Sequence, residues 1–255
     1  KRAERDSMNI KLTLSYDGTD YSGFQSQKNG NGIEDFLKKG ITSVLKSERI
    51  SIICAGRTDA GVHAEGQVVN FHATNNMKEN NWLLALNSLL PKDIRINNCE
   101  FVPDSFNSRR TAYAREYWYQ IVNDKTISAL HQRYYTHIYW GDLDTERLNE
   151  YAKYLIGEYD FTSFCSSGDQ NKTKIRRVDS IDFTRNGNLV VCKIIGNAFL
   201  QNMVRIMVGT ILDLYKENRS PETIKEILES KERKVAGVTY PPKGLILKKV
   251  YYNEV

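Results

Sequence analysis

The order of apolar and polar positions divides the chain into strand-like and helix-like stretches. Ile10, Leu12, Leu14 and Tyr16 alternate with Lys11, Thr13 and Ser15, the two-residue period of a strand with one buried face over residues 9–16. After the loop DGTDYSGF, Ile33, Phe36, Leu37, Ile41, Val44 and Leu45 recur at helical spacing and predict an amphipathic helix. Residues 51–54 and 67–71 read as two further strands. Residues 80–90 read as a second helix stopped by Pro91, and IRINNCEFV as a strand that ends a first half near Val102.

The second half opens with a strand over residues 112–122, with Tyr113, Arg115, Tyr117, Tyr119 and Ile121 on one face and Trp118 on the other. A helix is expected over 146–156. VDSIDFTRNGNLVVCKIIG reads as a hairpin in which Asn186-Gly187 supplies the positive φ angles of a tight turn. Residues 199–215 predict a long helix, Ser220-Pro221-Glu222 the start of another, and LILKKVYY a closing strand. Two halves that mix strands, helices and hairpins predict an α+β architecture rather than a doubly wound parallel sheet, with boundaries at 8–110 and 111–255. Residues 1–7, ahead of Met8 taken as the native start, read as a remnant or a frayed tail. CSSGDQNKTK, polar and basic at its end, has the strongest loop character.

Composition narrows the class. With 255 residues, 40% of them hydrophobic, the chain is long enough to bury a full core as one large domain or two. No apolar run approaches a membrane span and KRAERDS lacks a signal-peptide core, so a cytoplasmic chain outside any membrane is expected. Cys54, Cys99, Cys165 and Cys192 form no CxxC pair, and His63, His72, His131 and His137 show no HxH or HExxH spacing. Reduced thiols and no metal site follow. The net charge of +5 is mild, so a polyanionic partner would have to meet a localised basic patch.

Three places carry candidate chemistry. In CAGRTDAGVHAEGQVVNF, glycines and small residues surround Arg57, Asp59 and His63 directly after a strand. Such a loop either lets backbone approach a ligand or is a solvated turn that Asp59 caps. It contains no GxxxxGK[ST] cradle for nucleotide phosphates. Arg205 is the only charged residue between Phe199 and Leu212, so its guanidinium either snorkels to the helix edge or meets a carboxylate. The face Arg115, Tyr117, Tyr119 offers a phosphate-binding group beside rings on which a base can stack, or is an ordinary tyrosine-rich sheet surface. Glu65 makes a poor second member of a glycosidase pair, so one essential aspartate is the economical reading.

As a set, these residues resemble the tRNA pseudouridine synthase A family. YDGTDYSGFQSQ from Tyr16, GRTDAGVHA from Gly56, FNSRRTAYAREYWY from Phe106, NAFLQNMVRIMVG from Asn197 and PPKGLIL from Pro241 match its blocks in order. The resemblance implies two α/β halves with antiparallel sheets joined across a basic cleft, in a homodimer that grips one tRNA. It implies conversion of uridine to pseudouridine in the anticodon stem-loop, at positions 38, 39 and 40, with no cofactor and no metal. Carried over by motif, Asp59 is the catalytic aspartate, Tyr117 the ring that packs on the target base and Arg205 the partner of Asp59. Leu245 is an apolar wall and Arg57 holds the displaced nucleotide, with His63 and Arg115 grouped among the substrate-binding residues. Ala55 stands where serine is frequent, Phe24 where tryptophan is frequent, and VTYPPKGL replaces an alanine-proline-rich block; none of these changes removes a catalytic group. A family member acting on other RNA positions and a catalytically silent RNA-binding protein are the competing readings, and the intact Asp59, Tyr117 and Arg205 argue against the second.

Overall fold

The computed structural model describes residues 7–46, 49–74 and 77–253. The chain divides into two compact units, one running up to Tyr113 and resuming at Leu247, the other spanning Ala114–Ile246.

The first unit begins with β1 (Met8–Tyr16), α1 (Ile33–Leu45), β2 (Ile53–Cys54), β3 (His63–Ala73), α2 (Glu79–Leu89) and β4 (Ile94–Val102). The alternation in β1 is what makes it central: Ile10 lies opposite both Phe71 and Phe101, and Leu12 opposite both Val69 and Cys99, in antiparallel ladders. Ile10, Leu12 and Leu14 are fully buried, each worth roughly 1.5–3 kcal/mol relative to exposure. Trp82 of α2 meets Phe71 edge-on at 5.5 Å between ring centroids, and Gly40 of α1 faces Leu86 and Leu90. A buried polar chain joins this sheet to the segment after β4. Asn70 Nδ2 donates to Asn9 Oδ1, Asn9 Nδ2 to the carbonyls of Pro103 and Phe106, and Ser108 N–H to Asn70 Oδ1.

The second unit carries β5 (Ala112–Asn123), β6 (Thr136–Ile138), α3 (Thr145–Ala152), β7 (Gly157–Asp160), β8 (Ile175–Asn186), β9 (Leu189–Gly196), α4 (Met203–Lys216) and α5 (Thr223–Ser230). The closing β10 (Leu245–Tyr252) enters the first unit at Leu247 and lies beside β3. Strands β5, β9, β8 and β7 follow one another antiparallel, and β6 joins β5 in parallel. Met203, Ile206, Met207, Ile211 and Leu212 make α4 buried around most of its circumference. The molecule is thus mixed α+β with mostly antiparallel pairing, and no helix among the described residues is long and apolar enough to cross a membrane.

Several expected boundaries move. The strand expected over 67–71 runs His63–Ala73. The helix expected over 146–156 ends at Ala152 and tightens into a 3-10 turn at Lys153–Leu155; its start is capped by Asp144, whose Oδ1 accepts from Glu146 N and Arg147 N. In the hairpin Asn186 pairs with Leu189, so the turn is Gly187-Asn188 and Gly187 alone has a positive φ, of 60°. That is the arrangement with glycine at the first central position. The long helix starts at Met203 rather than Phe199 because Asn202 is left-handed, with φ 61°; Leu200 is buried as a helix would require, but from an irregular approach.

Candidate active site

The loop between β2 and β3 holds Asp59 and is fixed from two sides. At its root, Ala55 N–H donates to Val68 O and Gln67 Nε2 to Gly56 O. Gln67 Nε2 also reaches Tyr16 Oη, which shares a 2.7 Å hydrogen bond with Thr58 Oγ1. Burial raises the Tyr16 phenol above its ordinary range despite those bonds, so it stays a neutral hydroxyl. From the other side comes DGTDYSGF. Phe24 N–H donates to Thr58 O. A Cβ on Gly18 would lie 2.0 Å from Val62 O, and one on Gly23, whose φ is 90°, would lie 2.7 Å from Thr58 O. Only glycine allows this approach of backbone to backbone. Thr58 and Val62 are buried while Asp59 between them is half-buried and Arg57 and Ala60 are exposed. The loop therefore presents a carboxylate at the surface of a rigid backbone.

His63, the first residue of β3, is 2% exposed. Its Nδ1 accepts from Gly18 N–H at 3.0 Å and lies 3.3 Å from Asp17 Oδ1. The ring is a latch between the two loops rather than a surface group.

In the second unit, β5 brings Arg115 and Tyr117 to one face, both buried. Arg115 Nη1 donates to Asn197 O at 2.7 Å, and the Tyr117 ring meets Phe199 edge-on at 5.3 Å. Arg205, in the first turn of α4, is half-buried. Its Nε donates to Tyr240 O at 2.7 Å and its Nη1 to Asn202 Oδ1 at 2.8 Å, while Tyr240 N–H returns a bond to Arg205 O. The segment carrying Tyr240 is moored along α4 by Gly237 N–H to Thr210 Oγ1 and Val238 N–H to Asp213 Oδ2. Gly209 makes room for it, since a Cβ there would lie 1.9 Å from Val238 O. Leu245 is buried at the start of β10, just after Pro241, whose carbonyl accepts from Tyr119 Oη.

Two features escaped the sequence reading. In the turn FNSRRT, Asn107 Oδ1 accepts from Arg109 N and Arg110 N, and Ser108 Oγ donates to Ile53 O at the root of the Asp59 loop. Arg109 and Arg110 are consequently exposed on a rigid mount, close enough to the Asp59 loop that Arg57 and Arg109 both act on the Cys54 thiol. An Asn two residues ahead of a basic pair is the local signal for such a turn. The second is the stretch CSSGDQNKTK, expected to be a loose loop, which is stapled by a carboxylate. The Asp169 side chain is 2% exposed, with Lys174 Nζ at 2.5 Å. It accepts also from Gln201 N and Asn171 N. Burial works to raise the Asp169 carboxyl, but the bonds from Lys174 and the two amides outweigh it and hold it well below the usual carboxylate range.

Among the described residues no group of His, Cys, Asp and Glu side chains is placed to hold a metal ion. The sequence profile described as tRNA pseudouridine synthase matches residues 13–109 and 151–253. The chain belongs to the tRNA pseudouridine synthase family. Among its relatives, the tRNA pseudouridine synthase A of Brachyspira hyodysenteriae is 42% identical over 96% of this chain and 99% of its own length. The tRNA pseudouridine synthase A 2 of Clostridium perfringens is 41% identical over 96% and 99%, and the Bacillus subtilis enzyme 39% identical over 96% and 100%. A tRNA pseudouridine synthase must break the bond from N1 to C1′, turn the uracil and join C5 to C1′ while the free base stays trapped. It must also draw a stacked uridine out of its helix, which costs a few kcal/mol.

Proposed function

We propose that this tRNA pseudouridine synthase acts on the anticodon stem-loop, at positions 38, 39 and 40, with Asp59 as its reacting carboxylate. The observation that carries this reading is the glycine-backed loop, which holds a half-buried aspartate between buried Thr58 and buried Val62. Its carboxylate adds to the sugar or to the base, or removes the C2′ proton to give a glycal; in each route Asp59 is regenerated once C5 has joined C1′, and the proton lost from C5 is balanced by one gained at N1. Tyr117 packs on the flipped uracil, Arg205 pairs with Asp59 and Leu245 closes the apolar side. Exposed Arg57 holds the displaced nucleotide, and Arg109 and Arg110 take phosphates of the same strand. His63 and Arg115, both buried, act by holding the Asp59 loop and the Asn197 approach rather than by touching RNA. The enzyme works in the cytoplasm as a homodimer, with neither cofactor nor metal.

The test is to incubate unmodified tRNA transcripts with the protein and map pseudouridine by nucleotide. Product is expected at positions 38 to 40 with wild type and none with Asp59→Asn, whose tRNA affinity and melting temperature stay near wild type. The loss is on the order of 10⁴-fold or more, as for other essential reacting groups. Turnover by purified Asp59→Asn would exclude Asp59 as the essential group, and product confined to other nucleotides would reassign the substrate.

A further inference from the structure

We infer that Asn202 is a positioning residue, which holds the guanidinium of Arg205 at one angle and is itself held by the Asp169 loop. The inference rests on the reading of Arg205 as a group of the reacting site.

An arginine side chain has about 2 kcal/mol of rotamer freedom to lose before it presents one geometry. Here two different nitrogens are tied, Nε to Tyr240 O and Nη1 to Asn202 Oδ1, which fixes both the torsion and the plane of the fork. The Tyr240 carbonyl is backbone, held along α4. The Asn202 oxygen needs its own support, because an amide can present either end. That support is visible: Asn202 Nδ2 donates to Ser166 Oγ at 2.6 Å, which leaves the oxygen end for Arg205. The left-handed backbone at Asn202 places this amide one turn before Arg205, a conformation asparagine tolerates better than other side chains.

The remaining bonds close a ring around Asn202. Ser166 N–H donates to Gln201 O, Asp169 N–H to Ser166 O, and Gln201 N–H to Asp169 Oδ2. A buried carboxylate is costly unless its partners are fixed. The partners of Asp169 are Lys174 and Asn171 from its own loop, and Gln201 from the approach to α4. Among the described residues, its anchorage outside its own loop is thus the residue next to Asn202.

The experiment is a double-mutant cycle read as single-turnover rates at saturating tRNA. Asn202→Ala is expected to slow the reaction roughly 10- to 100-fold, the scale of a misplacement near 1 Å, with tRNA affinity unchanged. Asn202→Gly, which keeps the left-handed backbone, should lose as much and covers the case in which the alanine variant folds poorly. In an Arg205→Lys background, Asn202→Ala should add less than about twofold, because contacting residues are not additive. Full additivity, or a wild-type rate for Asn202→Gly, overturns the inference. A wild-type rate for Arg205→Lys alone instead removes the reading of Arg205 on which it stands.

Discussion

Two polar loops, residues 55–62 in the first unit and 165–174 in the second, are both held in place, and by opposite means. The Asp59 loop is gripped through backbone, by glycines pressed against the carbonyls of Thr58 and Val62 and by neutral hydrogen bonds from Gln67 and Tyr16. The other loop is gripped through a charge, with Asp169 buried among Lys174 and two amides. An acid that anchors its own loop is committed to that anchorage. In the role proposed for Asp59 the loop must offer its acid to a substrate, and close-packed backbone with neutral bonds from Gln67 and Tyr16 holds that loop in shape.

The largest expected effect follows from that contrast. Gly18→Ala drives a Cβ into Val62 O, a backbone atom with no freedom to yield, whereas a Cβ on Gly168 in the second loop meets nothing within 4 Å. Gly18→Ala should therefore cost roughly 3 kcal/mol of stability and abolish turnover, while Gly168→Ala stays within about 0.5 kcal/mol. Thermal melts and pseudouridine yield on the two variants check both. Equal melting temperatures would show that the loops are not held differently.

Much of the fold was legible because it rests on local period. The alternation Ile10, Leu12, Leu14 marked β1, and the helical spacing from Ile33 to Leu45 marked α1. The Asp59 loop was legible as a specific string, GRTDAGVHA. What stayed hidden depends on distant partners. The burial of Asp169 is not legible in CSSGDQNKTK alone, since one of its donors, Gln201 N–H, is 32 residues away. Apolar Phe199 and Leu200 continued the period of α4, so the break at Asn202 was masked by a half-buried and a buried residue that lie outside the helix. The hairpin was recognised from Asn-Gly, but which residues form the turn is decided by the pairing of Asn186 with Leu189. His63 and Arg115 carried chemistry-bearing types, and their burial was not legible in the sequence.

A middle-sized effect concerns exposed charge against buried charge. Arg109 and Arg110 stand on the Asn107 turn facing outward, whereas Lys174 is turned in on Asp169. Replacing both arginines by glutamine should weaken tRNA binding and flatten the plot of log K against log salt by about 0.7 to 0.9 for each phosphate no longer neutralised. The lysine pair at the same positions should restore the slope. Lys174→Gln should lower stability and leave the slope as in wild type. A slope unchanged by the double glutamine variant would show that Arg109 and Arg110 do not neutralise phosphates of the bound tRNA.

The smallest effect is confined to acid and isolates the anchor itself. Because the folded Asp169 carboxyl lies below its ordinary value, the unfolded chain takes up its proton at higher pH than the folded chain does. The stability it contributes is then fully present above the unfolded value, about 3.9, and is lost as the pH falls towards the depressed folded value. Protonation of Asp169 breaks the charged bond to Lys174. Asp169→Asn keeps the shape and can accept from Gln201 N–H, but it offers no charge to Lys174. Urea melts of the two proteins should differ by a constant amount between about pH 5 and 7 and converge below about pH 4. A gap that persists unchanged to pH 3 would mean that the loop is held by the geometry of its hydrogen bonds rather than by the charge of Asp169, and the two loops would then be fixed by the same physics.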